Sequence, residues 1–101
     1  MAKKSMIARE VRRLEQINKS YIIRKELRKI CKSSALSFEE KNRAQNRLQK
    51  MPRDSSSIRL RNRCGETGRP HGYYRKFGLG RNKLREAVMR GDVPGVTMAS
   101  W

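Results

Sequence analysis

The sequence predicts a mainly α, irregular protein: an extended N-terminal helical hairpin, then a small C-terminal module with a short strand and a short helix. Three observations carry this. Apolar residues recur at helical spacing over the first third of the chain with no Gly or Pro among them. A capping box and a proline bracket a second helical stretch. All seven glycines lie from Gly65 onward, several of them among arginines and tyrosines.

From roughly Lys4 to Lys32, Ile7, Val11, Leu14, Ile17 and Tyr21 follow spacings of four, three, three and four, and Ile23, Leu27 and Ile30 continue as a rotated stripe. One long amphipathic helix and two helices bent near Ser20 fit this pattern equally well. The apolar stripe is expected to lie on a neighbouring protein or on the second helix. Lys32 to Leu36 reads as a loop. Ser37 is a good N-cap, with Glu40 placed to reach back to the cap amide, and both Glu39 and Glu40 sit where the helix dipole favours negative charge. Ala44, Leu48 and Met51 form a narrow stripe, and Pro52 cannot continue the helix. This helix is expected to fold back on the first.

Arg53-Asp54-Ser55-Ser56-Ser57 reads as a polar hinge, giving a basic helical extension over 1–57 and a compact Arg/Gly/Tyr-rich module over 58–101. Ile58 to Arg63 alternates apolar and polar, the pattern of a short extended segment. Its arginines would share one face about 6–7 Å apart, close to the phosphate spacing along a strand. Leu84, Ala87 and Val88 give a short helix from Gly80 or Arg81 to Arg90, closed by Gly91. After the turn Asp92–Gly95, the tail ends in Trp101, expected to anchor in a neighbour or in the small core.

Charge narrows the function classes. Of the 101 residues, 26 are Lys or Arg and 9 are Asp or Glu, a net charge of +17. Residues 1–57 contribute 16 basic and 6 acidic residues and 58–101 contribute 10 and 3, so both parts should touch a polyanion. Hydrophobic residues make up 36%, too few for a large core, and self-repulsion opposes folding until an anionic partner relieves it. The free chain is therefore expected to be poorly ordered. No apolar run reaches the roughly 20 residues of a spanning helix, the basic start lacks a signal-peptide core, and Glu10 and Glu15 spoil a transit-peptide reading. Two cysteines are too few for a disulfide scaffold and fit a reducing cytosol.

The stretch from Leu60 to Glu86 carries the chemistry. Arg61, Arg63, Arg69, Arg75, Lys76, Arg81 and Arg85 alternate with Tyr73, Tyr74 and Phe77 around five glycines. Guanidinium groups bind phosphate oxygens bidentately and tyrosine rings stack on unpaired bases, so the chemistry reads as a nucleic-acid surface. A solvated basic loop with some aromatics in a minimal local core is expected for part of it. In extended geometry the adjacent rings of Tyr73 and Tyr74 point opposite ways, one to the small core and one to the ligand. The positions Cys64-x2-Thr67 and Gly80-x2-Lys83 have the spacing of a two-knuckle zinc ribbon, but only Cys64 can ligate, and adding His71 leaves the set two donors short. No metal or other cofactor is expected. A Cys64–His71 nucleophile pair lacks an orienting third group, and Gly78-Leu79-Gly80 does not extend to a dinucleotide fingerprint, so no catalytic residues are assigned. His71 reads as a hydrogen bond or stack on RNA, or as a turn position. Cys31 reads as a small buried hydrophobe.

Arg63-Cys64-x2-Thr67-Gly68-Arg69-Pro70, Tyr74-Arg75-Lys76-Phe77-Gly78-Leu79 and Arg81-x2-Leu84-Arg85-Glu86 resemble the signature of the small-subunit ribosomal protein fourteen family. Pro94-Gly95 with Ala99-Ser100-Trp101 is similar to that family's C-terminus, while Met1 to Met6 and Leu48-Gln49-x2-Pro52-Arg53 resemble its long bacterial form. Short members carry four zinc-binding cysteines. Those positions here are Cys64, Thr67, Gly80 and Lys83, so the chain resembles the zinc-free branch, with a zinc-ribbon-like, metal-free C-terminal module and a vestigial zinc site. The resemblance implies a constituent of the small (30S) subunit that binds 16S rRNA in the head near the A site and supports assembly and translation. It implies ribosomal proteins three, ten and nineteen as neighbours, and a ribosome in the bacterial cytoplasm or in an organelle. The rRNA contacts are assigned to Arg61, Arg63, Arg69, His71, Tyr73, Tyr74, Arg75, Lys76, Arg81, Lys83 and Arg85. The alternatives are a free-standing DNA-binding regulator reading through the helix near Arg81–Arg90, and third, a basic helix at residues 4–32 lying on a membrane.

Overall fold

The computed structural model describes residues 1–99, so the expectation for Trp101 lies outside the described residues. Among the described residues the regular structure is three α-helices, one two-stranded sheet and two 3-10 turns: α1 (Lys4–Lys32), α2 (Phe38–Lys50), β1 (Tyr73–Tyr74), β2 (Leu79–Gly80) and α3 (Arg81–Arg90), with the 3-10 turns between α2 and β1. The chain divides into two compact units between Leu60 and Arg61, and residues 1–7 cluster with the second unit, although the charge pattern suggested a boundary after Ser57.

In the unit formed by residues 8–60, α1 runs without a break through Ser20. Glu10, Arg13, Ile17, Ser20, Arg24, Leu27 and Cys31 are withdrawn from solvent, at spacings that alternate between three and four. This inward stripe is half polar, and it is not the stripe that apolar spacing picks out. Val11, Leu14 and Tyr21 are 51%, 47% and 58% exposed. Polar residues face inward because the segment after Pro52 is itself polar. Ser55, only 1% exposed, accepts a 3.0 Å hydrogen bond from Arg24 Nη1 and donates to the Pro52 carbonyl, while Arg13 Nε lies 3.5 Å from Asp54 Oδ1. The serine run expected to be a hinge is pinned by these bonds.

The segment expected to be extended, Ile58–Arg63, instead starts inside the second of two 3-10 turns, Arg53–Ser55 and Ser57–Arg59, the latter closed by Arg59 N–H to Ser56 O (3.2 Å) and Leu60 N–H to Ser57 O (3.3 Å). Alternation describes a strand only where a partner strand takes its amides. Here the Arg59 and Leu60 amides are satisfied locally, and the 2.7 Å Arg59–Asp54 ion pair spans the turns.

α2 begins as its sequence dictates, with Ser37 Oγ accepting from the Glu40 amide at 3.4 Å. Its Ala44 is buried, as is Leu27 of α1, and Cys31 Sγ lies 3.7 Å from Gln45 Oε1, so α2 meets the end of α1. Basic side chains end both helices, Lys29 and Lys32 in α1 and Arg47 and Lys50 in α2, complementing the dipole.

In the other unit β1 and β2 form a tight antiparallel hairpin, Tyr73 opposite Gly80 and Tyr74 opposite Leu79. α3 follows directly and ends at Gly91 (φ 81°). Gly91 N–H bonds to Val88 O at 3.1 Å and Asp92 N–H to Ala87 O at 3.0 Å, the paired bonds of a Schellman cap.

Candidate nucleic-acid interface

The sequence-predicted site residues lie together in the unit that holds the hairpin, on backbone fixed by four loop hydrogen bonds. Cys64 N–H donates to Arg69 O (3.0 Å) and Gly68 N–H to Cys64 O (2.9 Å), closing the first turn. Gly65 N–H to Gly78 O (3.0 Å) and Arg81 N–H to Gly72 O (2.7 Å) tie that turn to the hairpin and to α3. The Arg75–Gly78 turn of the hairpin carries Arg75 and Lys76 into solvent, and Lys76 Nζ lies 5.7 Å from the Phe77 ring centroid. Arg81 opens α3, with its side-chain methylenes over Gly72, and is exposed, as are Arg61, His71 and Arg85.

The paired tyrosines separate as strand geometry requires. Tyr73 is half-buried and Tyr74 is 51% exposed, so Tyr74 is the ring open for stacking. Several predicted residues are engaged within the protein, Arg61 among them. Arg63 Nη1 donates to the Gly68 carbonyl (3.1 Å), and Lys83 Nζ makes a 3.0 Å ion pair with Glu86, which pushes the Lys83 pKa up. Arg69, half-buried, and exposed Arg75, Lys76, Arg81 and Arg85 stand in no ion pair among the described residues. α3 begins at Gly80 with no side-chain cap and no acidic residue in its first turn, so the partial positive charge of its N-terminus adds to that of Arg81.

Sequence reasoning missed the role of the first residues. Ala2 N–H donates to Thr67 O at 3.2 Å, and Ile7 packs so closely on Gly68 that a Cβ there would lie 2.7 Å from its Cδ1 and Cγ1. The apolar spacing that assigned Ile7 to the helix stripe gave no hint of this partner.

The four positions with zinc-ribbon spacing are only partly brought together. A Cβ on Gly80 would stand 3.5 Å from Cys64 Cβ, and the Thr67 hydroxyl bonds to Cys64, while Lys83 is held by Glu86. Among the described residues no three of His, Cys, Asp and Glu gather as a metal site would require. Cys64 is 3% exposed. Burial pushes its thiol up, but hydrogen bonds from the Thr67 side chain and from the backbone of Gly80, Thr67 and Glu66 outweigh this and lower the pKa from 9.0 to about 7. A folded-state pKa below the unfolded one means the thiolate stabilises the fold. Its contribution is complete above about pH 9 and is lost as pH falls through about 7, with a ceiling of about 2–3 kcal/mol. Unfolding of the wild type and of Cys64→Ser, followed by circular dichroism in sulfate buffer, should therefore show a stability gap that widens between pH 7 and 9. A gap constant with pH would contradict the assignment.

Glycine turns that present guanidinium groups without ion-pair partners, beside an open tyrosine, suit the class of structural nucleic-acid-binding proteins. The comparisons with known proteins narrow that class. The model of the family described as Ribosomal protein S14p/S29e matches residues 47–100. The Small ribosomal subunit protein uS14 of Xylella fastidiosa (strain 9a5c) is 59% identical over 101 residues, covering all of both chains. The chain belongs to the small-subunit ribosomal protein S14 family, and is a structural ribosomal protein and not an enzyme.

Proposed function

We propose that this protein binds 16S rRNA in the head of the small subunit near the A site and supports 30S assembly in the bacterial cytoplasm. It does so without zinc, beside ribosomal proteins three, ten and nineteen. The observation that carries the rRNA reading is the set of five cations, Arg69, Arg75, Lys76, Arg81 and Arg85, that no described carboxylate neutralises within one small unit. Phosphates where rRNA helices converge would supply the missing charge, through shape and charge more than base readout. The zinc-free reading is supported by the single thiol at the four knuckle positions and by the hydrogen bonds and packing that hold the turn. The half-exposed Val11, Leu14 and Tyr21 on α1 are suited to protein neighbours or to RNA.

The test is sucrose-gradient sedimentation of a lysate, followed by a wash in roughly 0.5–1 M salt. A peripheral binder held by phosphate contacts is stripped, whereas an interlocked subunit protein stays on the 30S and 70S particles. Arg69→Ala should lower 30S yield and expose head nucleotides to chemical probes. Normal yield with unchanged rRNA protection would count against the reading.

A further inference from the structure

Over the middle of α1, within the unit formed by residues 8–60, lies a recess of about 190 Å³ lined by Ile17, Tyr21, Arg24, Lys25, Arg28 and two serines of the 3-10 segment. We propose that it takes one unpaired nucleotide of ribosomal RNA, with the base against Tyr21 and the phosphate on Lys25, Arg28 and Ser57. The proposal rests on the rRNA reading above and adds a site outside the Arg61–Arg85 cluster.

Four observations converge on this ligand. The lining carries three cations and no carboxylate. The nearby carboxylate of Asp54 is already engaged by Arg59 and Arg13. Arg24 is fixed in the wall by its 3.0 Å bond to Ser55, its Nε is withdrawn from solvent with no acceptor among the described residues, and it has no ion pair there. A half-buried guanidinium with one N–H shut off from water and no counter-charge is costly, and an anion in the same recess lowers that cost. Tyr21 is 58% exposed although its neighbour one turn back, Ile17, is buried, and Lys25 Nζ lies 6.0 Å from the Tyr21 ring centroid. The cation thus stands over the ring, which brings an aromatic face and a phosphate-binding charge into one recess. The size agrees as well: the volume corresponds to on the order of a dozen water-sized spheres, room for a base.

Helix spacing explains why these groups meet. Ile17, Tyr21, Lys25 and Arg28 follow steps of four, four and three along one side of α1, and the pinned Ser55 turn closes the recess. Arg24, on the buried stripe, holds that turn in place through its bond to Ser55.

The experiment uses 30S particles carrying the full chain. Ultraviolet crosslinking followed by peptide mass analysis should place a nucleotide adduct on the peptide containing Tyr21. In particles built with Tyr21→Leu or Arg28→Gln, one unpaired base protected in the wild type should become roughly tenfold more reactive to chemical probes, while Tyr21→Phe keeps it protected. Adducts confined to peptides from residues 61–85, with no base altered in Tyr21→Leu, would overturn the recess site and leave the rRNA reading standing. So would a crosslink from the Tyr21 peptide to another protein. Absence of the chain from the particles would overturn both.

Discussion

Gly68→Ala should destabilise the second unit by about 2–3 kcal/mol and reduce incorporation into the small subunit. Two separate costs add. Gly68 has φ +74°, where any residue with a Cβ loses about 1–2 kcal/mol. The new methyl would also fall 2.7 Å from Ile7 Cδ1 and Cγ1 and 3.3 Å from Ala2 Cβ, so the Ile7 side chain must leave its rotamer or the first turn of α1 must shift. That shift pulls on the Ala2–Thr67 hydrogen bond and on the turn that Gly68 closes by donating to Cys64 O. The two costs are separable. Adding Ile7→Ala to Gly68→Ala should restore the overlap part and leave the backbone part, a coupling that a double-mutant cycle reads directly. Unfolding in sulfate buffer, where anions screen the chain's self-repulsion, is the measurement. If Gly68→Ala melted like the wild type, the N-terminal residues would not be a brace for this turn.

That brace shows where the sequence was readable and where it was not. Boundaries set by local chemistry were legible. Ser37 caps α2, Pro52 stands just beyond it, and Gly91 closes α3, each because a single residue type satisfies or denies specific backbone groups. The reversal of Tyr73 and Tyr74 followed from strand pleat alone, although which ring turned outward required the packing. Features that depend on a distant partner were not legible. Apolar counting picked Ile7, Val11, Leu14, Ile17 and Tyr21 as a stripe for the second helix or a neighbouring protein, but the face of α1 that packs within its unit includes Arg13, Ser20 and Arg24, because its cover is a serine turn whose hydroxyl accepts from Arg24. Alternation at Ile58–Arg63 promised a strand, but no partner strand comes to it. Within the candidate site, the list of basic residues was readable from type alone. Nothing in type distinguishes Lys83, paired with Glu86, or Arg63, turned onto a carbonyl, from the unpaired cations beside them.

Those unpaired cations give the largest functional prediction. Arg75 and Lys76 sit in the hairpin turn and Arg81 at the start of α3, all exposed and without carboxylate partners among the described residues. If each meets a phosphate, replacing all three by glutamine removes about three counterion-release events. The dependence of log K on log salt for binding to the 3′ domain of 16S rRNA should then flatten by about two to three. At low salt the affinity should fall by roughly 10²–10³, and the gap should narrow as salt rises, because the wild type loses more than the variant. Folding should be nearly untouched, since none of the three side chains makes an ion pair and the Arg81 backbone bond to Gly72 O survives the change. The triple substitution Arg43→Gln, Arg47→Gln and Lys50→Gln removes the same charge from α2, so it is the control for net charge alone. Equal losses in both variants would mean that rRNA responds to total charge. A loss concentrated in the hairpin variant would mean that the turns built by Gly72 and Gly78 place these three cations on particular phosphates.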